Sequence, residues 1–558
     1  MKLHNHHPMD SYNRDIRSGF VLFIIIFLIS IPSSLVKGQE RLDLNLPNTK
    51  LEKMAKDIGY SIIQVRKGIS LEKQMRSPKT IYIISSVFNL DGRNLQIPDS
   101  SYIKFTEKGA IKNGAIKGQL LNESVDPIHF GAMCDGKVDD TQALQNVINL
   151  NAKTITLKGR KYYIDRFLTI PSNTSIEGNN ATIIFSAKEK AYPGIRIQSA
   201  SDVSIAEINF YAENKKKSGS PFARTPGTLW SNRYAITASS VSNITIENCS
   251  FAKVEVAIKI DGGIGDNNNV TIRNCMTEKA VNTPIYISHT KNAIIDGCKL
   301  HASTDASKYD HHIYGCTSNQ HHVIANCHFY AGLGIPVHYY TTEAEGEEDI
   351  LVENCFFENT CGAIIVSSQG EGTLTAKNLT MNSTRDYDNG IFRSGGNQTL
   401  IVEGATINAP YQRLVSCQGK NMEIKRIDAT IGGLAYSLPT VKGNLNGEDC
   451  ELTLLSAPYL LYLSEKNADK TGNVTLKGNS FTINNALEYL ISVRGTTAGK
   501  ITFDNNEILC TQKAKYAIYN AGKSSKRLIV KNNYMKGVAE LHHKSIKGSV
   551  MKNNNLER

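Results

Sequence analysis

The stretch ITIENCSF, residues 244–251, returns along the chain in altered copies and decides the fold. Each copy has alternating apolar residues, then Asn or Gly, then Cys: ITIENCSF (244–251), VTIRNCMT (270–277), AIIDGCKL (293–300), HVIANCHF (322–329) and ILVENCFF (350–357). The pattern continues without Cys as TLTAKNLT (373–380), LIVEGATI (400–407), VTLKGNSF (474–481), ITFDNNEI (501–508) and LIVKNNYM (528–535). A period of roughly 20 to 30 residues, carried by short strands and Asn or Gly turns, is typical of a solenoid.

The repeating unit is built of strands, because no copy contains an amphipathic pattern of helix length. A strand turns every second residue inward, and Asn or Gly at the fifth position suits a left-handed corner between strands. Those fifth positions are Asn248, Asn274, Gly297, Asn326 and Asn354. We therefore predict an all-β protein, a right-handed single-stranded parallel β-helix of roughly a dozen rungs.

Five of the eleven cysteines occupy one column of this repeat. Stacked rungs bring the cysteines of the column within disulfide reach, but side chains in a column point the same way rather than at each other. The odd total also argues against a complete disulfide framework. We expect buried thiols that act as small apolar filler.

The N-terminus carries an apolar run, FVLFIIIFLISI (20–31), preceded by Arg14 and Arg17. The run is short for a spanning helix, so residues 1–38 are predicted to be a signal peptide, with an uncleaved anchor as the alternative. The other predicted segments are a strand-containing preamble at 39–125, the β-helix at 126–550 and a C-terminal tail at 551–558. We expect an exported monomer, periplasmic, secreted or on the cell surface, with no stable membrane insertion once the signal is cleaved.

The net charge of +11 favours a polyanionic partner for an exported protein. No Lys/Arg block with interleaved aromatic residues is present in the sequence, and so nucleic acid is not an expected partner.

A second motif, FGAMCDGKVDDTQALQNVI (130–148), precedes the repeats. It resembles the N-terminal signature of the pectate-lyase-3-like branch of the pectin lyase-like superfamily, at Phe130, Gly131, Ala132, Asp135, Gly136, Asp139, Asp140, Thr141 and Gln145. The resemblance implies a parallel β-helix that acts on polysaccharide, in a family that includes polygalacturonases, uronate lyases, alginate epimerases and tailspike depolymerases. Fold alone does not choose among them.

The same motif predicts a helix near residues 139–150 that caps the open end of the coil. Asp139 or Asp140 can cap the N-terminus of that helix, and Ala143, Leu144 and Val147 lie on its apolar face. A structural role is expected for these two acids, because a cap shields the core and the strand edges of the first rung.

The strands before the Cys segments predict the functional face. Aligning VAIKIDG (256–262), TPIYISH (283–289), HHIYGCT (311–317), IPVHYYT (335–341), GAIIVSS (362–368) and NGIFRSG (389–395) turns one column outward: Lys259, Tyr286, Tyr314, His338, Ile365 and Phe392. A strict period of two puts His312 on this face beside Tyr314 and sends His311 to the interior or a corner. A pair of adjacent histidines on a strand therefore does not clamp one metal ion, and acid–base chemistry is favoured.

These residue types fit β-elimination at a uronic acid unit. His312 or His338 would remove the C5 proton, Tyr314 or Tyr286 would protonate the departing oxygen, and Lys259 or Arg393 would pair with the carboxylate. Further substrate contacts are expected from the flanking residues His289, Asp310, Tyr340 and Arg393, and from Trp230 as a sugar-stacking platform in an excursion at 214–233.

Several alternatives stay open. A C5 epimerase or a dehydratase that expels a terminal 4-hydroxyl would need the same residues, whereas a glycoside hydrolase needs two suitably spaced carboxyl groups. The non-enzymatic alternative is a glycan-binding surface solenoid. No cofactor is expected and no metal site is predicted, with calcium held through Asp261 or Asp310 as the alternative.

Overall fold

The computed structural model describes residues 53–557, apart from 54, 123, 151, 153, 187–192, 214–233, 263–265, 281–282, 303–310, 342–348, 388, 439–442, 464–471, 494–498, 521–527 and 543–549. The chain divides into two units between residues 58 and 59. The first unit lies almost wholly outside the described residues, and the predicted signal peptide lies wholly outside them. No described helix is long and apolar enough to cross a membrane.

The second unit contains a parallel β-helix, called the coil below, whose strands pair in parallel with the strands one turn earlier and one turn later. Three faces result. The first face contains Leu168–Ile170, Ile195–Gln198, Tyr234–Ser239, Val256–Ile260, Ile285–Ser288, Ile313–Cys316, Val337–Thr341, Val415–Gln418, Tyr436–Leu438, Leu461–Leu463 and Leu487–Val493.

The second face contains Ser124–Val125, Thr154–Thr156, Ser242–Glu247, Asn267–Arg273, Thr290–Asp296, Val323–Ala325, Ile350–Glu353, Asn444–Glu448, Val474–Lys477, Ile501–Asp504, Leu528–Lys531 and Val550–Lys552. The third contains Asp135–Asp139, Lys161–Ile164, Ser250–Ala252, Met276–Ala280, Lys299–Ala302, His328–Ala331, Phe356–Glu358, Glu451–Leu454, Ser480–Ile483 and Asn555–Glu557. Longer strands continue from one face to the next: Thr174–Ser186, Ser201–Glu213, Ile364–Asn382, Phe392–Ala409, Asn421–Ile431, Glu507–Asn520 and Tyr534–His542.

The predicted corner residues adopt the left-handed conformation. Asn248 has φ 52°, Asn274 φ 51° and Asn354 φ 52°, and Gly297 takes the same place with φ 63°. Asn and Gly tolerate this region better than other residues, which explains their recurrence at the fifth position of the repeat. The sequence pattern thus fixes where each rung turns.

The core column beside these corners changes its chemistry along the coil. In the central turns it consists of the buried, unpaired thiols Cys249, Cys275, Cys298, Cys327 and Cys355. Each thiol lies 3.6–3.8 Å from a carbonyl oxygen of the preceding turn, as with Cys275 and Ile246. The prediction of buried thiol filler is therefore confirmed, and the column adds weak S–H donors to it.

Toward the C-terminus the equivalent positions are occupied by a buried asparagine ladder. The side-chain amide of Asn479 donates to Asn506 at 2.9 Å, Asn506 donates to Asn533 at 3.0 Å, and Asn533 donates to Asn554 at 2.9 Å. Their amides also donate to backbone carbonyls of the preceding turn, so each buried side chain is paired. The strands at 550–552 and 555–557 belong to this stack, and the coil continues through the segment predicted to be a tail.

A helix at Thr141–Ile148 packs Ala143, Leu144, Val147 and Ile148 into the core, as predicted for the cap. Asp139 accepts from the Thr141 amide at 3.0 Å, and Asp140 accepts from the amides of Met133 and Cys134. Both acids hold backbone amides, which agrees with a structural role. The turn Pro127–Phe130, the short helix Leu71–Gln74 and residues 53 and 55–57 are also helical.

Before the cap, the preamble forms two small parallel sheets. One contains Ser61–Gln64, Thr80–Ile84, Tyr102–Phe105 and Gln119–Leu120, and the other contains Val87–Gln96 and Ala110–Lys117. Because these strands are also parallel, the coil-like organisation begins before residue 126.

Candidate functional site

One outward column of the first face joins the predicted site residues. Backbone pairing places Lys259 opposite Tyr286, Tyr286 opposite Tyr314, and Tyr314 opposite His338. Since paired strands lie about 4.8 Å apart, these four side chains line a continuous surface. This part of the predicted column agrees with the structure.

The end of the column differs from the prediction. His338 pairs with Ile365, and Ile365 pairs with Arg393 rather than with Phe392. Phe392 stands opposite Ile364 and is buried in the core. The alignment at 389–395 is wrong by one residue, because Ile391 still belongs to the turn, where its carbonyl accepts from both Ala363 and Ile364. Arg393 therefore takes a place in the column itself.

Two histidines from neighbouring turns form the centre of the site. His338 Nδ1 lies 2.8 Å from His311 Nε2, and His311 Nδ1 lies 2.7 Å from the Ile335 carbonyl oxygen. A carbonyl oxygen only accepts, so His311 must carry its proton on Nδ1 and accept on Nε2. His338 then donates from Nδ1, and its Nε2 is left with a lone pair.

The environment of His338 favours the neutral imidazole. Burial, together with neighbouring His311 and Arg393, holds the pKa of His338 well below its usual range. A neutral ring with a fixed tautomer is suited to accept a proton at Nε2. The arrangement therefore has the chemistry that a general base needs.

The predicted roles of the adjacent histidines are exchanged. His312 is completely buried, its Nε2 donates to the Tyr330 carbonyl at 3.0 Å, and burial lowers its pKa to about 4. The period of two fails here because the strand begins only at Ile313, and the residues before it form a corner. His312 as a base on the outer face is thus wrong, and His311, 7% exposed beneath Tyr314, is the histidine that reaches the site.

A signal for this exchange is present in the sequence. The residues that precede the equivalent strands are Ala257, Pro284, Pro336 and Ala363, which are all apolar. An apolar consensus at one turn position indicates a buried corner, whatever residue occupies it in one copy. His312 lies at that position.

Two tyrosines extend the surface from the histidine pair. The ring of Tyr314 lies 5.2 Å from that of His338 and 5.4 Å from that of His311, measured between centroids. Tyr286 follows, with its ring centroid 5.9 Å from that of Tyr314. Burial, together with Cys316 and Asp261, raises the pKa of Tyr286 well above its usual range, and its phenol therefore remains protonated.

Lys259 is engaged by a carboxylate at the N-terminal end of this surface. Its Nζ lies 2.6 Å from Asp261 Oδ2, and the other oxygen of Asp261 accepts from Ser288 Oγ at 3.2 Å. Both carboxylate oxygens of Asp261 are consequently paired with neighbouring side chains. Within the described ranges, no group of three or more His, Cys, Asp or Glu side chains could hold a metal ion.

The flanking residues fall into two groups. Tyr340 is 37% exposed in the next outward column, with its ring 5.9 Å from His338, and His289 occupies a left-handed corner beside Ser288. Asp310, Trp230 and the acidic loop at 342–348 lie outside the described residues.

Comparison with known proteins supports the fold. Residues 172–384 match the family model described as "Right handed beta helix region", and these residues include the turns that carry most of the site. The predicted fold is confirmed, and the resemblance to pectin lyase-like proteins holds at that level. No curated protein matches the sequence.

Three similar solved structures illustrate the range of proteins with this fold. The tailspike of E. coli bacteriophage HK620, in complex with a pentasaccharide, has 12% identity and a TM-score of 0.45, covering 78% of this chain and 79% of the tailspike. PfbA, a surface adhesin of Streptococcus pneumoniae, has 14% identity and a TM-score of 0.40, covering 75% of this chain and 91% of PfbA. A mannuronan C-5 epimerase A-module of Azotobacter vinelandii has 11% identity and a TM-score of 0.37, covering 76% of this chain and 99% of the A-module. A β-helix by itself does not specify an activity.

Proposed function

We propose that this protein is a carbohydrate-active enzyme that performs β-elimination at uronic acid units of an anionic polysaccharide or oligosaccharide. The observation that carries the proposal is the chain of hydrogen bonds from the Ile335 carbonyl through His311 to His338. It leaves the Nε2 of His338 with a lone pair, in a column where Tyr314 lies one turn before His338 and Arg393 two turns after it.

His338 would act as the base. Its Nε2 removes the C5 proton of the uronate, the electrons of that bond form the C4–C5 double bond, and the C4–O4 bond breaks. Because the Nδ1 proton is held by His311, the imidazolium that forms keeps its orientation. His311 is then a positioning residue, which acts through His338.

Arg393 would neutralise the substrate carboxylate. Its charge already lowers the pKa of His338, so the two groups interact electrostatically. Lys259 lies three strand pairings from His338, about 14 Å along the face, and is paired with Asp261. Of the two cations predicted for this role, Arg393 is therefore the better placed, and its planar guanidinium suits a carboxylate.

Tyr314 would protonate the departing O4, because its ring adjoins that of His338. Tyr286 is the second proton donor on this surface and lies one turn farther from the base. Together these roles account for each proton and electron pair of the elimination.

The alternatives differ in what they require. A C5 epimerase would use the same base but would return a proton to the opposite side of C5 without releasing a fragment. A glycosidase needs two carboxyl groups. Of those predicted for this face, Asp261 is the one described, and it is bound by Lys259 and Ser288.

The test is incubation of the protein with a panel of uronate polymers and oligomers while ultraviolet absorbance is recorded. A conjugated unsaturated uronate that appears with the wild type, and not with His338→Ala, supports elimination. Reducing ends without absorbance would indicate hydrolysis instead. Solvent deuterium at C5 without cleavage would indicate epimerisation, and binding without any product would indicate a glycan-binding solenoid.

A further inference from the structure

The outward column that carries the site continues in both directions along the first face. Toward the N-terminus, Lys259 pairs with Thr237, Thr237 with Arg196, and Arg196 with Thr169. Toward the C-terminus it continues from Arg393 through Ser416, Ser437, Tyr462, Ser492 and Tyr519. No Asp or Glu occurs in this column, whereas Arg196, Lys259 and Arg393 do.

At its N-terminal end the column borders a pocket of about 320 Å³ beside the capping helix. The pocket is lined by Thr141, Gln142, Gln145, Arg166 and Phe167. Gln145 is held in place, since its side chain donates to the Thr169 carbonyl at 3.0 Å and accepts from the Thr169 amide at 2.9 Å. The wall of the pocket is therefore tied to the first residue of the column.

An arginine and an aromatic ring meet at this pocket. The guanidinium carbon of Arg196 lies 4.2 Å from the centroid of the Phe167 ring, close enough for a cation–π contact that orients the guanidinium. Arg166 is exposed on the pocket lining.

The two arginines differ from Lys259 in their charge balance. Among the described residues, neither Arg166 nor Arg196 has a carboxylate within ion-pair distance, whereas Lys259 is bound to Asp261. Asp165 directly precedes Arg166 in the sequence, and its backbone amide donates to Asp139 at 3.2 Å. Asp139 and Asp140 also accept hydrogen bonds from the backbone amides of Thr141, Met133 and Cys134. The pocket thus has an apolar ring and Arg166 on its lining, with Arg196 packed on that ring from the adjoining column, and arginine beside an apolar ring is the chemistry that recognises a sugar acid.

We propose that this pocket is a second, non-catalytic binding site for a uronate unit of an anionic polysaccharide. The carboxylate binds Arg196 and Arg166, the sugar ring packs on Phe167, and Gln142 is available for hydroxyl groups. The choice of a uronate as the ligand of this pocket rests on the proposed function. Arg196 is five strand pairings from His338, about 24 Å along the face, and a chain bound at both places must be a polymer or a long oligomer.

Calorimetric binding of galacturonate, mannuronate and glucuronate oligomers of increasing length tests the pocket, with neutral glucose oligomers as the ligand control. The protein is His338→Ala, so no turnover disturbs the measurement. Affinity for one uronate series should rise once the oligomer reaches from the site to the pocket. Adding Arg196→Gln or Phe167→Ala should remove that rise, a loss of about tenfold to a hundredfold for the arginine. Lys299→Gln, an exposed lysine on the third face, should leave the affinity unchanged.

If His338→Ala and the double variant His338→Ala/Arg196→Gln bound long uronate oligomers with equal affinity, the proposed uronate site would be contradicted. The absence of uronate binding by both variants would contradict it as well. The two proposals fail separately, because elimination is measured with the wild type on short oligomers. If the wild type and Arg196→Gln cleaved short oligomers equally and also bound long oligomers equally, the proposed elimination would be supported and the proposed uronate site in the pocket would be contradicted. Length-dependent binding lost in Arg196→Gln, with no unsaturated product from any uronate, would leave the pocket standing without the elimination.

Discussion

The central turns of the coil and its C-terminal turns share one backbone but differ at two equivalent positions. Inside, the central turns stack Cys275, Cys298 and Cys327, where the C-terminal turns have the asparagine ladder. On the first face, the column that holds Tyr314 and His338 in the central turns holds Ser437 and Ser492, which are buried, in the C-terminal turns. The comparison teaches that the coil fixes positions, so that the inward columns carry stability and the outward column is free to carry chemistry.

The largest expected effect is on catalysis, and it distinguishes His338 from Ser437, which lies in the same column but in a later turn. We predict that His338→Ala lowers kcat for uronate elimination by about 10²- to 10⁴-fold, because the base is lost. Ser437→Ala, in the same column but away from the histidine pair, should leave kcat unchanged. Initial rates of unsaturated product compare them, and equal rates in wild type and His338→Ala would contradict the assignment.

Acid should destabilise the central turns through their buried histidines. The pKa of His312 is about 4 in the folded chain against 6.5 as its ordinary value, so the unfolded chain takes up the proton first. The contribution of the neutral His312 to the free energy of unfolding is therefore fully present above pH 6.5. It is lost as the pH falls toward 4, by about 3 kcal/mol in total.

His312→Gln, which can still donate to the Tyr330 carbonyl, should flatten this loss in denaturant unfolding measured across the same pH window. His322 has the same pKa of about 4 and contributes a second, separate loss. Exposed His542, replaced by Gln, is the matched control and should leave the loss that His312 causes as it is. An unchanged slope in His312→Gln would contradict the burial argument.

The inward columns should respond unequally to truncation. Asn506→Ala leaves the backbone amide of Asn479 and the carbonyl of Leu476 without their partners, and we expect a loss of about 2 to 3 kcal/mol in the free energy of unfolding. Cys298→Ala removes small apolar filler and should cost about 1 kcal/mol. Urea unfolding of the two variants tests the order, and a larger loss for the thiol would reverse this interpretation.

The smallest expected effect concerns His311. His311→Phe keeps the stacking on Tyr314 but removes the imidazole whose charge lowers the pKa of His338, so the pKa of His338 should rise toward its usual range. The acidic limb of the kcat/KM profile then moves to higher pH, and kcat falls about tenfold. His311→Gln, whose side-chain oxygen can accept from Nδ1 and keep the ring oriented, should restore part of kcat but leave the acidic limb at the higher pH. A purely structural role for His311 would leave the pH limb in place.

The strands and their Asn or Gly corners were predictable, whereas the residues just before the strands of the first face do not follow the period of two. Within a strand, the period of two assigns Tyr286, Tyr314 and His338 to one face correctly. At 311–312 and at 391–392 the chain is still turning, so the same rule exchanges the two histidines and misses Arg393 by one residue. The link between His311 and His338 joins residues 27 apart and depends on side-chain direction at a corner, which spacing does not encode.

The most direct measurement of the central claim is the structure of Tyr314→Phe with a bound uronate oligosaccharide. The account predicts a uronate with C5 about 3 to 3.5 Å from His338 Nε2 and its carboxylate against Arg393. A uronate bound with its C5 away from His338, or with its carboxylate against Lys259 instead, would contradict it.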